Sequence, residues 1–197
     1  MRLRTLARVP LLLAAVVAAM LALAGAASAV AVPTAAANNV HIKGGNTALT
    51  LDRGTASVLS QNGVSAKPIS PAKASGRTFT FPITGGRVDA KSLAGTIDHS
   101  GGIKFAAGHK SLSVVDFVID TKAGVLTARV SGTKTRVPLL KLDLSKASIH
   151  KGSSQVVVGN VKATLTADAA AALNKTFGVK LFKKGLNIGV AKVTAKI

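Results

Sequence analysis

The residues able to do chemistry in this sequence are few, and most of them sit in one stretch. Gly95-Thr96-Ile97-Asp98-His99-Ser100-Gly101-Gly102-Ile103-Lys104-Phe105 is followed closely by Gly108-His109, so two of the four histidines lie among glycines. Imidazole is the commonest metal ligand and also ligates haem iron. Asp98, His99 and His109 therefore form a conceivable site, with His99 and His109 as the candidate cofactor ligands. The structural alternative weighs more. Glycine permits a bulge or a close backbone approach within a strand, which would leave His99 hydrogen-bonded and His109 in an exposed turn. His41 and His150 carry no motif and read as surface residues at strand ends.

Signals for catalysis are thin. There is no Gly-x-Ser-x-Gly elbow. Gly85 to Ser92 is superficially like a phosphate loop, but Ala90 stands where that motif needs glycine. The chain has no glutamate, and the spacing of its seven aspartates pairs none of them for acid–base work. It has no cysteine, which excludes disulfides and thiolate metal sites. No catalytic residue and no dedicated metal site are expected. A hydrolase assembled from distant Ser, His and Asp is the weakest of the readings.

The elements that must position these residues are strands. Phe79, Phe81 and Ile83 alternate with Thr78, Thr80 and Pro82, the period of a half-buried strand. Leu112 to Asp120, Val125 to Ser131 and Thr135 to Leu144 follow one another across short turns at Thr121–Gly124 and Gly132-Thr133, as in a meander. Gln155 to Thr166 and Leu186 to Ile197 complete a β-rich second half. Two segments depart from this pattern and resemble each other. Leu49-Thr-Leu-Asp52 and Leu165-Thr-Ala-Asp168 each end a strand at an aspartate able to cap a helix. Each then runs through small residues past an inward leucine (Leu59, Leu173) to a terminating glycine, Gly63 or Gly178. The expected fold is mainly β: a single antiparallel β-sandwich or barrel-like domain with two short helices. Asp52 and Asp168 thereby acquire a structural role.

The N-terminus reads as an export signal. Arg2, Arg4 and Arg8 precede an apolar run from Val9 to Leu23, and Ala27-Ser28-Ala29 has the small-x-small form of a cleavage site. That run is shorter than the roughly 20 residues needed to span a bilayer. Residues 1–29 are thus expected to be a signal peptide, 30–39 a flexible leader, and 40–197 one β-rich domain. No transmembrane segment is expected after cleavage. With three arginines in the signal, the mature part keeps 23 of the 26 Lys and Arg against seven Asp, a net charge of +16. Such a charge attracts polyanions, and for an exported protein anionic cell-wall polymers are the expected partners. Specific nucleic-acid binding is not expected, because the lysines are scattered and only six phenylalanines could serve as stacking platforms.

A resemblance adds to this. Ile83-Thr-Gly-Gly-Arg-Val-Asp89, Leu93-Ala-Gly-Thr-Ile-Asp-His-Ser-Gly-Gly-Ile-Lys-Phe105, the strand around Val115-Asp116-Phe117, and Leu165-Thr-Ala-Asp168 occur in the order found in secreted HtaA-type domains of actinobacteria. The sequence resembles that family over roughly the last two-thirds of the mature chain, through short motifs. The resemblance implies a β-rich domain, at the cell surface or released, and in some members haem capture. Haem-binding members use a tyrosine with supporting histidines. This chain has no tyrosine, so His99 and His109 would have to stand in. The expectation is an exported, non-enzymatic binding or structural protein of the cell envelope; the alternative is a haem- or metal-binding module using His99 and His109.

Overall fold

Phe79, Phe81 and Ile83 all point into the interior, from one face of a twelve-residue strand. That strand is one wall of a barrel. The computed structural model describes residues 38–197. In chain order the elements are β1 (Asn39–His41), β2 (Gly44–Leu51), α1 (Arg53–Gln61), β3 (Ser65–Ile69), β4 (Lys73–Ser75), β5 (Thr78–Asp89), β6 (Gly95–His99), β7 (Gly102–Ala107), β8 (Lys110–Asp120), β9 (Val125–Val130), β10 (Arg136–Asp143), β11 (Ser148–Lys151), β12 (Gln155–Leu165), α2 (Ala167–Phe177) and β13 (Asn187–Lys196). The export signal expected over residues 1–29 and nearly all of the leader expected over 30–39 lie outside the described residues. β1 already begins at Asn39.

Every strand pairing is antiparallel, and eight strands close on themselves in the order β5-β2-β13-β12-β10-β9-β8-β6. Closure depends on β6, whose Ile97 lies opposite Gly86 of β5 on one side and Ile119 of β8 on the other. Of the two expected architectures, the barrel is therefore the one formed, and it leaves no open edge in the ring. β8, β9 and β10 form the expected meander. β7 continues beyond β6 along β8 and carries β3 on its far side. β11 pairs with β12 beyond the end of β10. Inward alternation along the strands fills the barrel with aliphatic side chains and a Phe81–Phe117 edge-to-face pair whose centroids are 4.9 Å apart.

The two helices follow β2 and β12, which both pair with β13, and so they start at the same end of the barrel. Asp52 caps α1 as expected: its Oδ1 accepts from the Thr55 amide at 3.1 Å. α2 differs. Its N-cap is Thr166, whose hydroxyl accepts from the Ala169 amide at 3.2 Å. Asp168 lies in the first turn instead, where its charge complements the helix dipole. Gly178 ends α2 in the left-handed conformation (φ 70°). Leu59 and Leu173, the leucines expected to face inward, are buried, and with Phe182 they close this end of the barrel.

Candidate functional site

His99 ends β6 with its ring inside the barrel, only 5% exposed. Its Nδ1 lies 3.3 Å from the Phe117 carbonyl oxygen and its Nε2 lies 2.7 Å from the Thr47 hydroxyl. A carbonyl can only accept, so Nδ1 carries the proton and donates to Phe117. In the neutral ring Nε2 then accepts from Thr47. Burial pushes the His99 pKa down from 6.5 to about 4, against the opposing effects of the Phe117 carbonyl and the negative charge of Asp98. The ring is thus neutral at physiological pH, with both nitrogens engaged inside the fold.

His109 lies elsewhere. It occupies the exposed turn between β7 and β8, at the end where Ala107 faces Lys110. β7 starts at the opposite end, where Gly102 faces Val115. The length of β7 therefore separates the two histidines, on the order of 20 Å at about 3.3 Å per residue. The structure does not bring His99 and His109 to one site. Among the described residues, no group of three or more His, Asp, Glu or Cys side chains could hold a metal.

The glycines around His99 have a structural explanation. Gly101 adopts φ 83°, and a Cβ there would lie 2.6 Å from the Ala72 amide nitrogen. A Cβ on Gly102 would lie 2.2 Å from the Val114 carbonyl oxygen. The two residues let the chain pass from β6 to β7 in tight contact with its neighbours.

The remaining histidines face outward. Arg87 donates to His41 Nε2 at 3.1 Å between β5 and β1. His150 lies on β11 with an exposed side chain, and lines an external groove of about 430 Å³ with Val157, Val190 and Lys192. Sequence reasoning set His150 aside as a surface residue. The signal available was the alternation Ser148-Ile149-His150-Lys151, which puts Ile149 on the face toward the barrel mouth and His150 on the opposite face.

A second feature lies inside the barrel. Between Phe81 and the end opposite the helices is a cavity of about 170 Å³, walled by Leu, Ile, Val and Ala side chains from β2, β5, β6, β8–β10, β12 and β13. The Thr47–His99 pair meets this cavity through Thr47.

Fold and site together define a class: a closed antiparallel β-barrel, stoppered at one end by two helices, with an apolar interior and one buried neutral histidine. The sequence matches the HtaA family (Htaa) over residues 35–179. The chain belongs to the HtaA family. Two solved structures of one HtaA domain agree on the fold. The C-terminal domain of HtaA from Corynebacterium glutamicum superimposes with a TM-score of 0.60 at 14% identity, covering 79% of this chain and 98% of that one. A domain-swapped dimer of a histidine-to-alanine variant of the same domain gives a TM-score of 0.54 at 16% identity, covering 73% and 90%. The haem-binding protein HtaB of that species gives 0.45 at 12% identity, covering 80% and 95%. No curated protein matches the chain in sequence.

Proposed function

We propose that this protein is an exported, non-catalytic binding domain whose ligand is haem. Membership of the HtaA family carries this reading, since members of that family capture haem. Haem brings an iron that takes an axial side-chain ligand. His99 does not fit that role, because its one lone pair is already used by Thr47 and its ring is enclosed. The barrel cavity does not fit the macrocycle either: about 170 Å³ is well below the roughly 300–1,000 Å³ of pockets that enclose drug-sized ligands. The external groove does fit. His150 offers an exposed imidazole, Val157 and Val190 offer apolar contact, and Lys192 offers a cation for a propionate.

A haemin titration of the purified mature protein, followed by absorbance, tests this beside His99→Ala, His109→Ala and His150→Ala. The expected result is a saturable, stoichiometric Soret change that is lost in His150→Ala and kept in His109→Ala. No Soret change in the unaltered protein removes the haem reading. A loss confined to His109→Ala moves the ligand to the β7–β8 turn.

The net charge of the mature part, 23 Lys and Arg against seven Asp or +16, supports a second reading, retention of the protein at the envelope by anionic wall polymers. Charge-mediated retention weakens as salt screens it. Extraction from cells that is the same at low and high salt excludes it.

A further inference from the structure

The barrel cavity is assigned to no ligand by the haem reading, and it is unlike an ordinary interior. Protein cores pack at crystal-like density with few voids larger than a water molecule. An apolar void of roughly 150 Å³ stays dry and takes up small hydrocarbons. The cavity here is about 170 Å³. Its few polar wall residues have their hydroxyls committed: Thr47 bonds to His99, Ser92 to the Asp89 carboxylate, and Thr121 to the carbonyls of Leu93 and Gly95. A ligand inside would find hydrocarbon and no free hydrogen-bonding partner.

The end opposite the helices is the entrance. Leu144 and Ile149 line the cavity there and are 41% and 49% exposed, two of the four large apolar side chains that the described residues leave exposed. Across this entrance Lys151 Nζ donates to the carbonyls of Ala90 (3.0 Å) and Lys91 (2.9 Å), tying β11 to the β5–β6 loop. Lys43, Lys91, Lys122 and Lys196 are sequence neighbours of the lining at this end, and Lys146 lies in the loop between Leu144 and Ile149, against Asp89, Asp120 and Asp143. All three carboxylates accept backbone amides, Asp89 those of Lys91 and Ser92, Asp120 that of Ala123 and Asp143 that of Ser145. These bonds leave the carboxylates charged, but with Lys151 six lysines stand against three aspartates, so the rim is net cationic around an apolar throat.

We propose that the barrel takes the hydrocarbon end of a single-chain anionic amphiphile, a fatty carboxylate, with its head group among the rim lysines and its chain end running toward Phe81. This inference is independent of the haem reading and concerns a different part of the molecule. The chain is the recognised feature and the lysines add charge complementarity, while Lys151 holds β11 over the entrance.

The test uses the mature protein without haem. Its probe is N-phenyl-1-naphthylamine, a neutral dye that fluoresces in apolar surroundings, displaced by decanoate. Saturable one-to-one dye binding and competitive displacement by decanoate are expected. Ile149→Asp, at a half-exposed position that folding tolerates, should weaken both by on the order of tenfold, about 1.4 kcal/mol. Ala195→Leu, which adds bulk to the cavity wall, should do the same. Lys151→Met should weaken decanoate more than the dye. Displacement by lysophosphatidylglycerol but not by decanoate would reassign the chain to a phospholipid and overturn the carboxylate head. Failure of the dye to saturate, or binding unchanged in Ile149→Asp, would overturn the site altogether.

Discussion

The Thr47 hydroxyl and His99 Nε2 are 52 residues apart in the chain and 2.7 Å apart in the barrel, where β2 and β6 flank β5 from its two sides. With Phe117 accepting from Nδ1, the pair satisfies a buried imidazole completely. It also makes His99 a structural residue whose titration belongs to stability.

The first prediction concerns pH. The folded His99 pKa is about 4, against 6.5 for the ordinary group. The unfolded chain therefore takes up a proton near pH 6.5, whereas the folded protein does so only near pH 4. Stability is fully present above pH 6.5 and falls as pH drops toward 4, by up to roughly 3 kcal/mol at 1.36 kcal/mol per pKa unit. Asp89 and Asp143, held below the usual 3.8 by hydrogen bonds from Ser92 and Ser145, titrate beneath this window. Urea unfolding at pH 7 and pH 4.5 should show the loss, and His99→Gln should flatten it. The same slope in both proteins would assign the effect to other groups.

Thr47→Val keeps the shape of the side chain and removes its hydroxyl. The buried Nε2 of His99 is then left without a donor, which costs about 1–3 kcal/mol. Chemical denaturation measures this. In the variant with His99→Gln also present the cost should shrink, since the group that needed Thr47 is gone; an additive double variant would show that the two side chains do not act as a pair.

The helix starts differ in a measurable way. Asp52→Ala removes the cap of α1 and Thr166→Ala the cap of α2, each costing about 1 kcal/mol. Asp168→Asn loses only a first-turn charge, about 0.3–1 kcal/mol, and that loss should fade in high salt. Thermal melts of the three variants with and without added salt separate the two effects.

Gly101→Ala places a Cβ 2.6 Å from the Ala72 amide and holds a non-glycine residue at φ 83°. The strain should cost about 1–3 kcal/mol or more. Gly108→Ala is the comparison. It has φ 55° and nothing within 4 Å of the added carbon, so it should cost less. Equal losses at both positions would show that backbone conformation alone, and not the close approach, sets the requirement for glycine at Gly101.

Much of the barrel was legible because its signals are local. Alternation of Phe79, Phe81 and Ile83 marks an inner face whatever the strand pairs with. The turns at Gly124 and Gly132 join adjacent strands, so the meander of β8, β9 and β10 needed no long-range information. Asp52 as a cap was legible for the same reason. Asp168 was misplaced by two residues, because Thr166 and Asp168 are both capping residue types and only backbone geometry chooses between them.

The candidate site was less legible. Asp98, His99, Gly101 and His109 are close in sequence, and that closeness suggested a shared site. A strand carries neighbours in sequence apart in space, so β7 takes His109 to the far end of its hairpin. The partner of His99 comes instead from Thr47, on another strand.

The sequence by itself determined which faces of the strands are apolar, where the turns and helices fall, the absence of thiol chemistry, and the strong positive charge, because each depends on residue type and short-range spacing. Only the tertiary structure decided that the sheet closes through β6, that an apolar cavity remains inside it, and that His99 is paired and neutral. Those depend on strand register and on contacts between residues tens of positions apart, which local periodicity does not encode.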